Sequence, residues 1–210
     1  MVSTVPCHDR PVTSPIVRIA VFLGAAALVA SCSGAPSESA AAPAAPPTLV
    51  SEGVLAPPGQ GGPAVTYAPA VAPEGARVAL EVAPGEGSTT ATFRVAGMLP
   101  ERGYAVHAHV RPCGATGSDA GPHYQDRVDP AATPDAPSSD PAYANPRNEI
   151  WLDLRTDASG TGTATTTVPF GFPTRAPASV VVHEEEMTAT APGEAGTAGG
   201  RLACLTAAWN

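Results

Sequence analysis

Short runs of alternating apolar and polar residues, separated by turns, constrain the fold of this chain more than any other feature. Eight such runs lie between residues 64 and 209: AVTYAPAV, ARVALEV, TATFRVAGM, YAVHAHV, EIWLDLRTD, TGTATTTVPF, ASVVVHE and RLACLTAAW. Turn-forming clusters such as PGEG at 84–87 and DASG at 157–160 separate most of them. Short strands in series indicate an antiparallel sandwich or barrel. With 25 prolines and 21 glycines, long helices are not expected. We predict an all-β domain of about eight strands.

Two long connections interrupt this series of strands, at residues 111–148 and 184–200. The first contains five prolines between residues 130 and 146. Structureless loops longer than about 12–15 residues inside a compact domain are usually functional or disordered. Each of these loops begins next to a histidine, so we predict that both serve the function of the protein.

The N-terminus has the pattern of an export signal. Arg10 and Arg18 precede an apolar run over residues 19–30, and the run ends in the letters VASC. A basic region, an apolar core and small residues at the cut site are typical of a secretory signal peptide. VASC also resembles a bacterial lipobox, in which Cys32 becomes the lipidated first residue. We predict a signal peptide over residues 1–31 and a lipoprotein on the outer face of the cytoplasmic membrane. The alternative is an ordinary signal peptide that ends near a cysteine.

The segment after the predicted cut has the composition of a tether. Residues 33–62 consist mainly of Ala, Pro, Ser and Gly, with almost no periodic apolar pattern. Such a composition cannot bury enough apolar surface to fold. We therefore interpret residues 32–62 as a disordered linker anchored by lipid, and residues 63–210 as the folded domain.

The cysteines indicate an oxidising compartment. Of the four cysteines, Cys7 lies before the predicted cut and Cys32 would carry lipid. Cys113 and Cys204 remain as an even pair in an exported protein, for which a disulfide is the expected state. We predict that these two residues are bonded.

The charge of the chain excludes one class of partner. The formal net charge is −8 and aromatic residues make up 5% of the sequence. Nucleic acid binding needs a basic stripe to contact phosphates, and an acidic chain of this kind lacks one. We expect no nucleic acid partner, and contact with a membrane only through the lipid anchor.

Four histidines downstream of the predicted cut form a candidate metal site. His107 and His109 are separated by one residue in a predicted strand, so their side chains lie on the same face. His123 follows a Gly-Pro turn that can bring the loop back over that strand, and His183 ends the run SVVVH. Four imidazoles with no nearby thiolate suit copper(II), with zinc as an alternative.

The segments that contain these histidines carry a family resemblance. HAHVRPC, AGPHY, VVVHE and GTAGGRLAC occur in this order and resemble the copper/zinc superoxide dismutases, in particular exported bacterial forms. The resemblance covers about residues 64–205. It implies a Greek-key β-sandwich and the copper-dependent disproportionation of superoxide to O2 and hydrogen peroxide.

The resemblance also implies a role for each site residue. The implied copper ligands are His107, His109, His123 and His183. His123 matches the ligand that takes up a proton when copper is reduced. Arg201 matches the arginine that attracts and orients superoxide beside the metal. Cys113 and Cys204 match a disulfide that attaches the first loop to the last strand.

The chain departs from the family pattern at the zinc site. In the family, the loop after the bridging histidine supplies two more histidines and an aspartate to zinc, whereas residues 124–153 contain no histidine here. The carboxylates near this loop are interpreted as a solvated acidic surface: Asp126, Asp129, Asp135, Asp140, Glu149 and Asp153. We expect the usual zinc site to be absent. Glu184, Glu185 and Glu186, which follow His183, are candidates to orient a ligand imidazole.

Three functions remain open on the sequence. The leading hypothesis is a copper-dependent superoxide dismutase that works without structural zinc. The second is a non-catalytic lipoprotein that binds and sequesters copper at the cell envelope. The third is a sandwich domain that has lost its metal and serves as an adhesion or envelope module. Because fold alone does not decide function, the arrangement of the histidines has to discriminate among them.

Overall fold

The computed structural model describes residues 47–133 and 136–210. The predicted signal peptide at 1–31, the lipidation site Cys32 and the tether as far as residue 46 lie outside the described residues, as does Asp135. Among the residues described, the only helical segment is the 3-10 turn Gly117–Ala120. None of the described helical structure is long and apolar enough to cross a bilayer.

Two four-stranded antiparallel sheets form the body of the domain. The strands are β1 (Leu49–Val54), β2 (Ala64–Thr66), β3 (Arg77–Gly85), β4 (Ser88–Ala96), β5 (Gly103–Tyr104), β6 (Val106–His109), β7 (Leu154–Arg155), β8 (Gly162–Val168), β9 (Ser179–His183) and β10 (Arg201–Thr206). The first sheet has the order β1-β3-β4-β8 and the second β2-β10-β9-β6, while β5 and β7 pair separately. The predicted all-β fold of antiparallel strands is confirmed, with ten strands in place of about eight.

The two sheets bury their facing side chains in one hydrophobic core. The first sheet contributes Val78, Leu80, Val82, Ala91, Phe93 and Val95, and the second contributes Val106, Ala108, Val180, Val182, Ala203 and Leu205. In β3 and β4 buried residues alternate with more exposed ones, as expected for sheets with one solvated face. In β6 and β9 every residue is buried. Their second face must therefore be covered by loops.

The predicted start of the folded domain at residue 63 is wrong. β1 lies within the predicted tether, and its six residues pair in register with β3, from Leu49 opposite Val82 to Val54 opposite Arg77. Leu55, which follows β1, is 1% exposed and belongs to the core. The error has a physical cause: one six-residue strand among many prolines and glycines carries little periodic signal, although side-chain burial along β1 does alternate.

Of the eight predicted strand runs, EIWLDLRTD is confirmed only in part. Only Leu154–Arg155 of this run forms a strand. Glu149 and Trp151 make isolated bridges, and the run is held between the loops and the second sheet. Residues 150–152 do pair with β6, through hydrogen bonds of the Ala108 amide to the Ile150 carbonyl oxygen and of the Leu152 amide to the Val106 carbonyl oxygen, but the pairing is too short to count as a strand.

The predicted disulfide between Cys113 and Cys204 is confirmed, with 5.7 Å between the two Cα atoms. It links the loop that follows β6 to β10, across 91 residues of sequence. Closing a loop of this length stabilises a fold by about 4–5 kcal/mol in the chain-entropy model. The disulfide therefore fixes the first long loop on the outer face of the second sheet.

Candidate metal centre

The four histidines predicted as ligands lie together on the loop-covered face of the second sheet. His107 and His109 come from β6, and His183 ends the neighbouring strand β9. One ring nitrogen from each of the four histidines lies within 4.8 Å of the others. His107 and His109 are fully buried, His183 is 3% exposed, and His123 is the most accessible of the four. The predicted convergence of His183 with the other three histidines is therefore present.

A glycine turn brings His123 back over the strand. Gly121 has a φ of 75°, a conformation that favours glycine, and a Cβ at this position would lie 2.9 Å from Cγ2 of Val110. His123 then forms an isolated bridge with His109. The ring centroids of His107 and His123 are 4.1 Å apart. The Gly-Pro turn thus performs the role predicted for it.

The hydrogen bonds of His107 fix its tautomer. The Thr188 hydroxyl donates to Oδ1 of Asp153 at 2.8 Å and lies 2.6 Å from Nε2 of His107. Since the hydroxyl proton is used on Asp153, Nε2 of His107 must be the donor to Thr188. Nδ1 of His107 is then an unprotonated nitrogen, and it is buried without any partner. Leaving a buried polar atom unsatisfied costs about 1–3 kcal/mol. A bound metal ion would satisfy this nitrogen.

The other three rings also use one nitrogen as a donor. Nδ1 of His109 lies 2.9 Å from the Gly121 carbonyl oxygen, and Nδ1 of His183 lies 3.5 Å from that of Gly199. Nδ1 of His123 lies 2.9 Å from Oε2 of Glu149. A carbonyl oxygen or a carboxylate can only accept, so the two 2.9 Å contacts assign the proton of His109 and of His123 to Nδ1 and the lone pair to Nε2. The longer contact with Gly199 favours the same tautomer for His183. Nε2 of His109 and Nε2 of His183 face each other at 3.2 Å. Two lone pairs at this distance repel unless a cation lies between them.

Burial keeps three of the four imidazoles neutral. Burial, followed by the proximity of the other histidines, holds the pKa of His107 and that of His109 well below the ordinary value of 6.5. Burial also lowers the pKa of His183 to about 3. At neutral pH these three rings therefore present lone pairs, the form in which imidazole binds metals. Together with His123 the cluster offers four ring nitrogens, which fit copper or zinc.

A buried carboxylate supports His123 from behind. Glu149 is 2% exposed. Its Oε2 accepts from Nδ1 of His123 at 2.9 Å and from Nε1 of Trp151 at 2.7 Å, while Oε1 accepts from Nε2 of Gln125 at 2.8 Å. Metal-bound histidines commonly donate their second nitrogen to a carboxylate, which fixes the orientation of the ring. Glu149 provides this support here.

The interpretation of the loop carboxylates as a solvated surface is wrong for several of them. Glu149 and Asp129 are buried, and the half-buried Asp153 accepts from Thr188 next to His107. The glutamates proposed to orient an imidazole do not do so: in the described structure Glu184 accepts from the Gly200 amide and Glu186 pairs with Arg155. The sequence did contain a signal, because carboxylates within the apolar run EIWLDL must be paired if they are buried.

A β-bulge places Arg201 next to the histidines. In a regular strand Arg201 and Cys204 would lie on opposite faces, because side chains alternate. The pairing of β10 with β9 shifts between Arg201 and Ala203, and both Leu202 and Ala203 belong to the core. Arg201 is thereby turned to the same face as Cys204, where it pairs opposite His183. Bulges commonly re-aim a side chain in this way.

A cleft of about 450 Å³ opens onto the histidine cluster. His123, His183, Glu149 and Arg201 are among the residues that line it. Nη1 of Arg201 donates to the Gly117 carbonyl oxygen at 2.8 Å, which holds the half-buried guanidinium in place. Burial lowers the pKa of Arg201, but an arginine stays protonated at neutral pH. The cleft therefore combines metal-binding nitrogens with a fixed positive charge.

Fold and site together define a disulfide-bonded β-sandwich with a buried four-imidazole cluster, the donor set of a transition-metal site. Among solved structures the chain is similar to the Cu/Zn superoxide dismutase from Brucella abortus, with a TM-score of 0.49 and 18% identity, over 76% of this chain and 97% of that one. No protein-family model matches the chain, and no curated protein matches its sequence.

Proposed function

We propose that the chain is a copper-dependent superoxide dismutase. The observation that carries the proposal is the convergence of four imidazole lone pairs at a cleft that also contains a guanidinium. Nitrogen ligands of this kind suit copper(II). Arg201 supplies the positive charge that an anionic substrate requires. The overall reaction converts two superoxide ions and two protons to O2 and hydrogen peroxide.

Each residue of the site has a separate role in the proposed reaction. His107, His109, His123 and His183 would hold copper, which when bound supplies the one-electron oxidation and reduction. The net charge of −8 repels superoxide at long range, although salt screens this repulsion beyond about 8–10 Å. Attraction of the anion must therefore be local, and Arg201 provides it. His123 lines the cleft. When its Nε2 is not bound to the metal, this nitrogen can carry the proton that the peroxide product needs, while Nδ1 keeps its hydrogen bond to Glu149.

The contact between His123 and Glu149 supports a centre with one metal ion. A second ion could share His123 only through Nδ1, and this nitrogen donates to Oε2 of Glu149 at 2.9 Å. Glu149 also accepts from Trp151 and Gln125, so the carboxylate is held in position from three sides. We therefore propose that the protein works without structural zinc.

We propose that the protein acts at the cell envelope as a lipoprotein. The proposal rests on the VASC pattern that ends at Cys32, and the Cys113–Cys204 disulfide supports it because such bonds persist in oxidising compartments. Cys32→Ala should release the protein from the membrane fraction. Membrane retention equal to that of the unsubstituted protein would contradict lipid anchoring.

The test of dismutation compares three samples by the rate of superoxide consumption. Copper-loaded protein should consume superoxide faster per copper than the His123→Ala variant and should keep its activity when a chelator removes free copper. Activity that falls to the level of the variant, or that disappears with the chelator, would contradict the proposal.

The alternative is a protein that sequesters copper without catalysis. The observation that favours it is the burial of three of the four imidazoles, because buried ligands exchange metal slowly with solvent. This function predicts tight copper binding together with superoxide consumption no faster than that of His123→Ala. A domain that has lost its metal predicts no stoichiometric metal after dialysis.

A further inference from the structure

The cleft beside the histidine cluster is larger than superoxide needs. It measures about 450 Å³. Superoxide has two heavy atoms and is comparable to one or two water molecules, each of which occupies about 30 Å³ in the liquid. Pockets for organic small molecules measure about 300–1,000 Å³. The volume of the cleft thus falls in the range for an organic ligand.

The walls of the cleft are mainly hydrocarbon. The apolar residues that line it are Val110, Pro122, Val128, Ala132, Pro137 and Ala198. Val128 is 57% exposed, one of the few large apolar side chains in the described residues that the fold leaves in solvent. A single exposed valine is ordinary on a protein surface, but Val128 lines the same cleft as the other apolar residues and adds to their surface. The ligand should therefore have an apolar body.

The charges in the cleft favour an anionic group on that ligand. Arg201 uses Nη1 on the Gly117 carbonyl oxygen, and the planar guanidinium carries further N–H donors. The second guanidinium in the lining, Arg175, donates to the carbonyl oxygens of Gln125 and Asp126 and lies over the Tyr124 ring. The one carboxylate in the lining, Glu149, already accepts from three donors. Arg201 is therefore the group best placed to bind an anion.

We propose that this cleft binds a small aromatic carboxylate. Its carboxylate contacts the Arg201 guanidinium, a pairing that planar geometry favours, and its ring packs against Val128 and the other apolar walls. This site goes beyond the proposed dismutation. The groups proposed to contact the ligand are Arg201 and the apolar walls, and not the histidines that also line the cleft. The site can therefore be tested on metal-free protein.

The experiment titrates purified metal-free protein with benzoate and, separately, with acetate, and follows amide chemical shifts by NMR. Benzoate should bind at least tenfold more tightly than acetate, because only benzoate has a ring to bury. Arg201→Gln should weaken both ligands. Val128→Ser should weaken the binding of benzoate and leave the binding of acetate unchanged. Because Val128 is exposed, this substitution should not unfold the protein.

Two matched controls separate the cleft from general effects. Arg94→Gln removes an exposed positive charge from the first sheet, and Val50→Ser removes a side chain that is 65% exposed on β1. Both variants should bind benzoate as the unsubstituted protein does. Equal affinity for benzoate and acetate, or unchanged benzoate binding in both Arg201→Gln and Val128→Ser, would overturn the proposal. So would controls that weaken benzoate as much as the cleft variants do. Each of these results would leave the proposed dismutase activity untouched.

Discussion

At the scale of single residues, acceptors outside the cluster decide which nitrogen each histidine presents. Thr188, Gly121, Gly199 and Glu149 each accept from one ring nitrogen. Among the described residues, the other nitrogen of each ring has no acceptor outside the cluster. Glu149 is the only carboxylate among these four acceptors. A buried charge is costly unless donors compensate it, and Glu149 has three.

Glu149→Gln should weaken copper binding by about 10–100-fold, the usual effect of removing the partner of a metal-bound histidine. Glutamine keeps the size of the side chain, but its amide nitrogen cannot accept a hydrogen bond. The free energy of unfolding of the metal-free protein should also fall by about 1–3 kcal/mol. Competitive titration with a copper chelator measures the affinity. Asp126→Asn, at an exposed position, is the control. Equal affinities in the two variants would show that Glu149 does not support the centre.

The depressed pKa values of the buried histidines predict a loss of stability in acid. Burial keeps the pKa of His183 at about 3, and those of His107 and His109 well below 6.5, whereas unfolded histidines titrate near 6.5. As the pH falls below about 6.5 the unfolded chain takes up protons that the folded chain does not. Stability of the metal-free protein is therefore lost on acidification, by about 1.4 kcal/mol per pH unit for each such histidine.

Urea unfolding of the metal-free protein between pH 7.5 and 5 measures this slope. Hydrogen bonds lower the pKa of Asp119, Asp129 and Asp157 below 3.8, so these carboxylates affect stability only at lower pH. His183→Gln removes one of these histidines, so the slope of the unfolding free energy against pH should fall by about 1.4 kcal/mol per pH unit. A free energy of unfolding that stays constant over this range would contradict the neutral state of the buried rings.

At the scale of elements, the bulge in β10 determines that the side chain of Arg201 lies in the cleft. The extra residue turns Leu202 into the core and Arg201 toward His183. Without the bulge the guanidinium would lie on the core face, where no acceptor would pair with it. The positive charge of the centre thus depends on one irregularity in strand pairing.

Arg201→Glu should slow dismutation by about tenfold or more, since local charge raises the rate of anion capture by 10–10³-fold. Copper content should not change, because Arg201 is not a proposed ligand. Arg94→Glu alters the net charge equally on the first sheet, where Arg94 is exposed. Rates are compared at low ionic strength. A rate for Arg201→Glu equal to that of the control would remove Arg201 from the mechanism.

The position of β1 gives a second prediction at this scale. Leu55 lies in the predicted tether but is 1% exposed in the core, whereas its neighbour Val54 is 48% exposed. Leu55→Ala should therefore lower the free energy of unfolding by about 2–5 kcal/mol, the cost of truncating a buried leucine. Val54→Ala should have little effect. Chemical denaturation measures both variants, and equal stabilities would restore the tether interpretation for this segment.

The sequence predicts those parts of the centre that depend on local geometry. The spacing of His107 and His109 places both on one face because strands alternate, and the Gly-Pro turn before His123 marks a return of the chain. The contacts of Glu149 and Thr188 could not be predicted, since Thr188 meets His107 across 81 residues of sequence. Nor could the bulge before Ala203, because register shifts depend on the partner strand and leave no repeated pattern in the sequence.

At the scale of the whole molecule, the two sheets contribute different residues to the protein. The first sheet contributes core residues and no histidine, and the second carries three of the four histidines on its strands. The two long loops cover the outer face of the second sheet, and the disulfide attaches the first loop to β10. Such a rigid support holds the four rings in position before any metal binds.

The metal content of the purified protein, after incubation with copper and zinc and exhaustive dialysis, is the decisive measurement. We expect one copper ion per chain and no stoichiometric zinc, with copper lost in His107→Ala, which removes the unpartnered Nδ1. Stoichiometric zinc in addition to copper, or copper retained by His107→Ala at the level of the unsubstituted protein, would contradict a copper centre built on these histidines.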